Sequence, residues 1–106
     1  MSILDMLSKP NLEQGLREYA ATPGAVLLDV RSPQEYAEGH ISGSQNLPLQ
    51  AWNQAEALIP DKDTPVFLYC HSGARSRRMA GVLQKLGYTD VRDIGGLAGY
   101  SGPLEQ

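Results

Sequence analysis

Residues 66–76 read Val-Phe-Leu-Tyr-Cys-His-Ser-Gly-Ala-Arg-Ser, an apolar run that passes through a cysteine into a turn. The run before Cys70 is typical of a buried strand, and Gly73 interrupts the pattern as turn residues do. Cys70 is the only cysteine of the chain. Its sulfur is therefore expected at the carboxyl end of a strand, beside the first turn of the helix that follows.

Helical and strand-like patterns alternate along the rest of the chain. Helices are predicted at residues 11–21, 33–38, 50–59 and 73–86. Strands are predicted at residues 25–30, 45–47, 66–69 and 91–94. This alternation favours an α/β fold in which a parallel sheet is covered by helices on both faces. Ligands of such sheets bind at the carboxyl ends of the strands, where Asp29 and Cys70 are predicted to lie.

Size and composition predict one domain over residues 1–106, with the N-terminal helix at 11–21. The net charge of -3 gives no support for binding nucleic acid or an acidic membrane, and the apolar runs are too short to cross a bilayer. A lone cysteine excludes an internal disulfide and a multi-cysteine metal site. Asp5 and Lys9 interrupt the start of the chain before a signal-peptide core can form, so a cytoplasmic location with a reduced thiol is expected.

The residues after Cys70 are suited to stabilising a thiolate. Free cysteine has a pKa near ~8.5, which a helix N-terminus or nearby cations lower. His71 and Arg75 supply cations close to Cys70 in the sequence, and Arg75 is expected to point along the sheet edge toward the loop. Arg77 is expected on the solvated outer face of the helix. The alternative is that Cys70 is an inert, small core residue.

Several ordered segments together resemble a single-domain rhodanese, a sulfurtransferase. The resemblance covers residues 26–100. Its segments are Leu-Asp-Val-Arg at 28–31, Glu-Tyr at 35–36, Gly-His-Ile-Ser-Gly-Ser at 39–44 with Asn46 and Pro48, the loop 70–75, and Gly-Gly-Leu at 95–97. The resemblance implies a three-layer α/β domain around a central parallel sheet of about five strands.

The resemblance also implies a mechanism that needs no cofactor and no metal. The Cys70 thiolate would take the outer sulfur of thiosulfate or another persulfide donor, and cyanide or a thiol, including the thiol of a protein, would accept it. The N–H groups of the loop would bind the anionic sulfur; the residues concerned are His71, Ser72, Gly73, Ala74 and Arg75. Many family members that use thiosulfate have arginine at the position of His71, and histidine is only partly charged near neutral pH. Weaker or pH-dependent thiosulfate binding is therefore expected.

Three further polar residues are predicted to support the site. Asp29 ends an apolar strand, and a buried carboxylate needs partners, which we expect in the segment around His40 or in loop N–H groups. Arg31 is expected either at the rim of the pocket or in a surface ion pair. His40 lies between Gly39 and Ile41 and is expected to be a hydrogen-bonded structural residue rather than a base.

Two other functions fit parts of the same pattern. Cysteine phosphatases and arsenate reductases also use a cysteine at a helix N-terminus, but phosphatases place one more residue between cysteine and arginine than the four that separate Cys70 from Arg75. The shorter loop suits a single sulfur atom. A docking or relay module that passes persulfide sulfur between proteins uses the same residues as the enzyme, and the sequence alone leaves this alternative open.

Overall fold

The computed structural model describes residues 10–106. Residues 1–9, which contain the Asp5 and Lys9 that argue against a signal peptide, lie outside the described residues. The helices are α1 (Leu12–Ala20), α2 (Pro33–Glu38), α3 (Ala55–Leu58) and α4 (Ala74–Lys85), and a 3₁₀ helix (Leu49–Gln54) directly precedes α3. The strands are β1 (Val26–Asp29), β2 (Gln45–Asn46), β3 (Val66–Cys70) and β4 (Val91–Gly96). Between residues 10 and 106, no helix has the length and apolar character that crossing a bilayer requires.

The first two helices begin where their capping residues predict. The Asn11 side chain accepts the N–H of Gln14 at the start of α1. Ser32 and Glu35 form a reciprocal capping box at the start of α2, which satisfies two N–H groups that the helix itself leaves free. The single helix predicted over residues 50–59 is wrong in detail. The segment instead forms the 3₁₀ helix, which non-helical backbone angles at Ala51 interrupt, followed by the short α3.

The sheet has four parallel strands in the order β2-β1-β3-β4, so the expectation of about five strands is one too many for residues 10–106. The carboxyl-terminal segment does not extend this sheet. It forms instead a single antiparallel bridge in which Glu105 pairs with His40. The strands nevertheless run as predicted, and their carboxyl ends share one edge.

Side chains alternate between the two faces of the sheet and create two core layers. Leu28, Val30, Leu68 and Cys70 face the layer that holds Met79 and Leu83 of α4, whereas Leu27, Phe67 and Tyr69 face the layer that holds Leu12 of α1. Helices therefore cover both faces, as predicted. All five residues of β3 are buried, in agreement with its position between β1 and β4 inside the sheet.

The residues directly after β4 form backbone hydrogen bonds to the end of β3 and to the loop that follows it. The N–H of Leu97 donates to the Cys70 carbonyl oxygen at 3.0 Å, and the N–H of Ala98 donates to the His71 carbonyl oxygen at 2.9 Å. A Cβ atom on Gly96 would overlap the carbonyl group of His71. The close approach of these two backbones thus depends on glycine at position 96.

Candidate active site

Cys70 is the last residue of β3, and three loop residues separate it from α4. Gly73 takes a positive φ of 97° at the N-cap of α4 and turns its N–H back to the sulfur. This N–H donates to Sγ at 2.9 Å. Cys70 is completely buried, so the closed loop covers the thiol.

The pKa of the Cys70 thiol lies below its ordinary value. Burial alone would raise this pKa, but hydrogen bonds to the sulfur outweigh that effect. The donors are the hydroxyl of Ser76 and the backbone N–H groups of Ser76, Gly73 and Arg75. These N–H groups belong to the first turn of α4 and the residue before it, where a helix leaves its donors free to bind an anion. The loop therefore stabilises a negative charge on sulfur.

Ser76 and Asp93 anchor the loop that follows Cys70. Neither residue was assigned a role from the sequence. Ser76 is completely buried, and its hydroxyl lies 2.7 Å from Oδ1 of Asp93, which also accepts the N–H of Gly95. A hydroxyl has one proton, so Ser76 donates either to Asp93, the shortest of its contacts, or to the Cys70 sulfur. The backbone N–H groups face the sulfur in both cases. The signal for Ser76 was its helical spacing from the buried residues Met79 and Leu83.

Arg75 forms a bidentate ion pair with Glu35 of α2. Its Nη1 and Nη2 atoms lie 2.7 Å and 3.0 Å from Oε1 and Oε2 of Glu35. The guanidinium is therefore held by this carboxylate, whereas the sequence predicted that it would point toward the thiol loop. The buried stripe of α4 runs through Ser76 and Met79, which leaves Arg75 half-exposed at its margin. The ion pair fixes the end of the loop to α2.

Replacing Glu35 by glutamine should weaken the fold at neutral pH and not at acidic pH. Hydrogen bonds from Arg75 lower the pKa of Glu35 from 4.5 to about 2. The stabilisation is thus fully present above pH 4.5 and is lost as the pH falls toward 2. Because both side chains are about one-third exposed, we expect a loss of only about 1 kcal/mol from the free energy of unfolding.

Urea unfolding of Glu35→Gln and the wild type, at neutral pH and at a pH below the folded-state pKa, measures this difference. Glu38→Gln is the matched control, since Glu38 is an exposed carboxylate of the same helix that forms no ion pair within residues 10–106. A difference of equal size at both pH values would show that the charge of Glu35 does not stabilise the fold.

Asp29, Arg31 and His40 form a network separate from the thiol. The carboxylate of Asp29 is completely buried and accepts from Nε and Nη2 of Arg31, the latter at 2.7 Å. The same Nη2 donates to the carbonyl oxygen of Gly39, which links Asp29 to the segment of His40. Arg31 is itself buried, so the surface ion pair considered for it is wrong. The ring of His40 stacks on Tyr36, and its Nδ1 lies 2.8 Å from the Tyr36 carbonyl oxygen.

A groove of about 710 Å³ lies beside the thiol loop. One wall is formed by residues 71–74 of the loop, and the others by residues 10–13 and by the segment that follows β4. Arg77 lines this groove although it is exposed, so its side chain borders the site rather than only the outer face of α4. Tyr100 also lines it. Two acidic residues, Glu13 and Asp93, line it as well.

The Rhodanese-like domain family matches residues 12–102, most of the chain. The chain belongs to the rhodanese-like family. Two of its relatives are named thiosulfate sulfurtransferase. PspE of Escherichia coli is 38% identical over 71 residues, which make up 66% of this chain and 68% of PspE. GlpE of Pseudomonas fluorescens is 38% identical over 87 residues, 82% of this chain and 75% of GlpE.

A solved structure described as rhodanese with anions from Escherichia coli has the same fold. The two structures superpose with a TM-score of 0.70 at 32% sequence identity. The match covers 77% of this rhodanese and 98% of the Escherichia coli chain. The family and the α/β fold predicted from sequence are thereby confirmed. The protein is a sulfurtransferase of the rhodanese type.

Proposed function

We propose that this rhodanese transfers the outer sulfur of thiosulfate, or of another persulfide donor, to a thiol by way of a persulfide on Cys70. One observation carries the proposal. The sulfur of Cys70 accepts the N–H of Gly73 at 2.9 Å within a loop that lowers the pKa of the thiol. A thiolate is the nucleophilic form of cysteine, so this loop prepares Cys70 to attack.

In the first step the Cys70 thiolate attacks the outer sulfur of thiosulfate. A bond forms between Sγ and that sulfur, while the bond between the two thiosulfate sulfurs breaks and its electron pair leaves with sulfite. Cys70 then carries a persulfide anion. The N–H groups that stabilise the thiolate are placed to bind this charge as well, since they are fixed before the reaction begins.

In the second step a thiolate or cyanide attacks the outer sulfur of the persulfide. The new bond forms to that sulfur, and the bond to Sγ breaks so that Cys70 is again a thiolate. No proton has to be removed by a base in either step. This agrees with the positions of Asp29 and His40, which are hydrogen-bonded within the separate network.

The part of the groove beside the loop and Arg77 is suited to the sulfonate end of thiosulfate, since the carboxylate of Asp93 in the same lining is engaged by Ser76 and Gly95. His71, Ser72, Gly73 and Ala74 form its inner wall, and Arg77 supplies a cation next to them. Arg77 is thus a further proposed contact of the donor, in addition to the loop that follows Cys70. The guanidinium of Arg75 is engaged by Glu35, so we do not assign it a contact with the donor. Arg75 contributes instead through its backbone N–H, which faces the sulfur.

Replacing His71 by arginine should lower the KM for thiosulfate. Arginine is always charged, and its planar guanidinium can bind an anion through two N–H groups at once. An exposed charge contact of about 1 kcal/mol corresponds to roughly a fivefold change in KM. Steady-state kinetics at one fixed pH measure the effect, with His71→Gln as the uncharged control. Equal KM values for all three proteins would exclude a role of His71 in donor binding.

Sulfite release without any acceptor tests the proposal. Mixing the protein with excess thiosulfate should release one sulfite per Cys70 in a single burst, followed by no further turnover until a thiol is added. Continuous sulfite release without acceptor would contradict the double-displacement scheme. So would the failure of thiosulfate to release sulfite together with the failure of a persulfide donor to release its thiol. We also infer the reducing cytoplasm as its location, because the mechanism requires Cys70 to stay reduced.

A further inference from the structure

A second groove, of about 600 Å³, lies between α4 and the 3₁₀ helix. Its α4 wall is formed by Arg75, Arg78, Gly81, Val82 and Lys85. Leu49 and Trp52 of the 3₁₀ helix line the opposite wall. Because Arg75 directly follows the thiol loop in the first turn of α4, the groove begins at the end of α4 nearest that loop and extends along the helix.

The groove is positively charged in a chain whose net charge is -3. Arg78 and Lys85 are exposed, and within residues 10–106 neither of them forms an ion pair. No acidic residue lines the groove. A partner with negative charge would be attracted to this face and repelled by most of the remaining surface.

The groove also offers an exposed aromatic ring. Trp52 is 44% exposed, and the half-buried side chains of Leu49 and Val82 lie in the same groove. Tryptophan and arginine are among the residue types most enriched in the residues that dominate protein interfaces.

Nucleic acid fits this groove less well than an acidic protein segment does. Two cations without partners on a negatively charged protein contact too few phosphates for useful affinity.

Gly81 leaves space in the groove, but glycine at this position lowers the stability of α4. It lies in the interior of α4, where glycine is destabilising by roughly 0.5–1 kcal/mol relative to alanine. A Cβ atom at this position would meet nothing within 4 Å, so packing inside the protein gives no reason for glycine. The absence of a side chain leaves space on the face of α4 that borders the groove.

We propose that this groove binds an acidic segment of the thiol protein that exchanges sulfur with Cys70. The inference rests on the proposed function and adds the class of acceptor. The docked protein presents a thiolate that attacks the outer sulfur of the Cys70 persulfide. The bond from Sγ to that sulfur breaks, its electron pair remains on Sγ, and the persulfide is now on the partner.

Two synthetic peptides test the proposal as acceptors. One carries a cysteine, a leucine and a run of glutamates, and the other has glutamine in place of each glutamate. With preformed Cys70 persulfide, the acidic peptide should accept sulfur roughly tenfold faster than its neutral counterpart at low salt. The ratio should fall to about one in Arg78→Glu/Lys85→Glu and should persist in Arg17→Glu, a charge reversal at an exposed position of α1.

Docking can be measured without the chemistry, because Trp52 is the only tryptophan of the chain. In Cys70→Ser protein, the acidic peptide should change the fluorescence of Trp52, and the double charge reversal should abolish the change. Equal rates for the two peptides together with no fluorescence response would overturn the inference while leaving the proposed function intact. A response to a single-stranded oligonucleotide and none to the peptide would also overturn it. If no persulfide forms on Cys70, the proposed function fails, and the fluorescence experiment still decides whether the groove binds the peptide.

Discussion

Replacing Cys70 by serine should abolish sulfur transfer from thiosulfate to cyanide. Loss of the covalent nucleophile should lower turnover by roughly 10³-fold or more, because no other side chain can carry the sulfur between the two half-reactions. Cys70 is the only cysteine, so no second thiol can replace it. A standard assay of thiocyanate formation measures the effect.

The control for this variant is its stability. Serine is close to cysteine in size, and the N–H of Gly73 that donates to Sγ can donate to a hydroxyl oxygen. Unfolding by urea and the circular dichroism spectrum should therefore remain close to those of the wild type. A folded Cys70→Ser protein that still turned over thiosulfate would contradict the assignment of Cys70 as the sulfur carrier.

Replacing Gly96 by alanine should have the second-largest effect. The added Cβ would overlap the carbonyl group of His71, and backbone on both sides limits how far the loop can yield. Overpacking of this kind costs about 1–3 kcal/mol in the free energy of unfolding. The loop would also move away from β4, which disturbs the N–H groups around Cys70. Misplacement by about 1 Å can lower turnover roughly 10²-fold.

Gly81→Ala is the matched control for the stability effect of Gly96→Ala. The same methyl group added to α4 meets no atom within 4 Å and should raise helix stability slightly. The ultraviolet absorbance of the thiolate reports the second consequence, since a displaced loop should raise the pKa of Cys70 toward its ordinary value. Unchanged turnover and an unchanged thiol titration in Gly96→Ala would show that the contact with β4 does not position the loop.

The residue patterns predicted the fold because local and long-range signals agree. The run 66–69 is buried on both sides, as its uninterrupted apolar character indicates, and Ser32 with Glu35 forms the capping box that their spacing predicts. The four strands predicted from the residue patterns are the four strands of the sheet. The count of about five came from the family resemblance alone, and the carboxyl-terminal segment pairs with His40 outside the sheet.

The position of the cysteine in the candidate site was predictable, and its supporting contacts were less so. The position of Cys70 at a strand end follows from local sequence, and the structure places it there. The partner of Arg75 is Glu35, forty positions away in the chain, and the contact between Ser76 and Asp93 likewise joins distant segments. Such pairings arise from packing of α4 against the sheet and against α2, which no single segment encodes.

The most direct test of the account is the intact mass of the protein after incubation with thiosulfate and removal of excess donor. The account predicts a gain of one sulfur atom on the wild type, reversed by a thiol and absent from Cys70→Ser. An unchanged mass, with thiosulfate and with a persulfide donor, would contradict the claim that Cys70 carries the transferred sulfur.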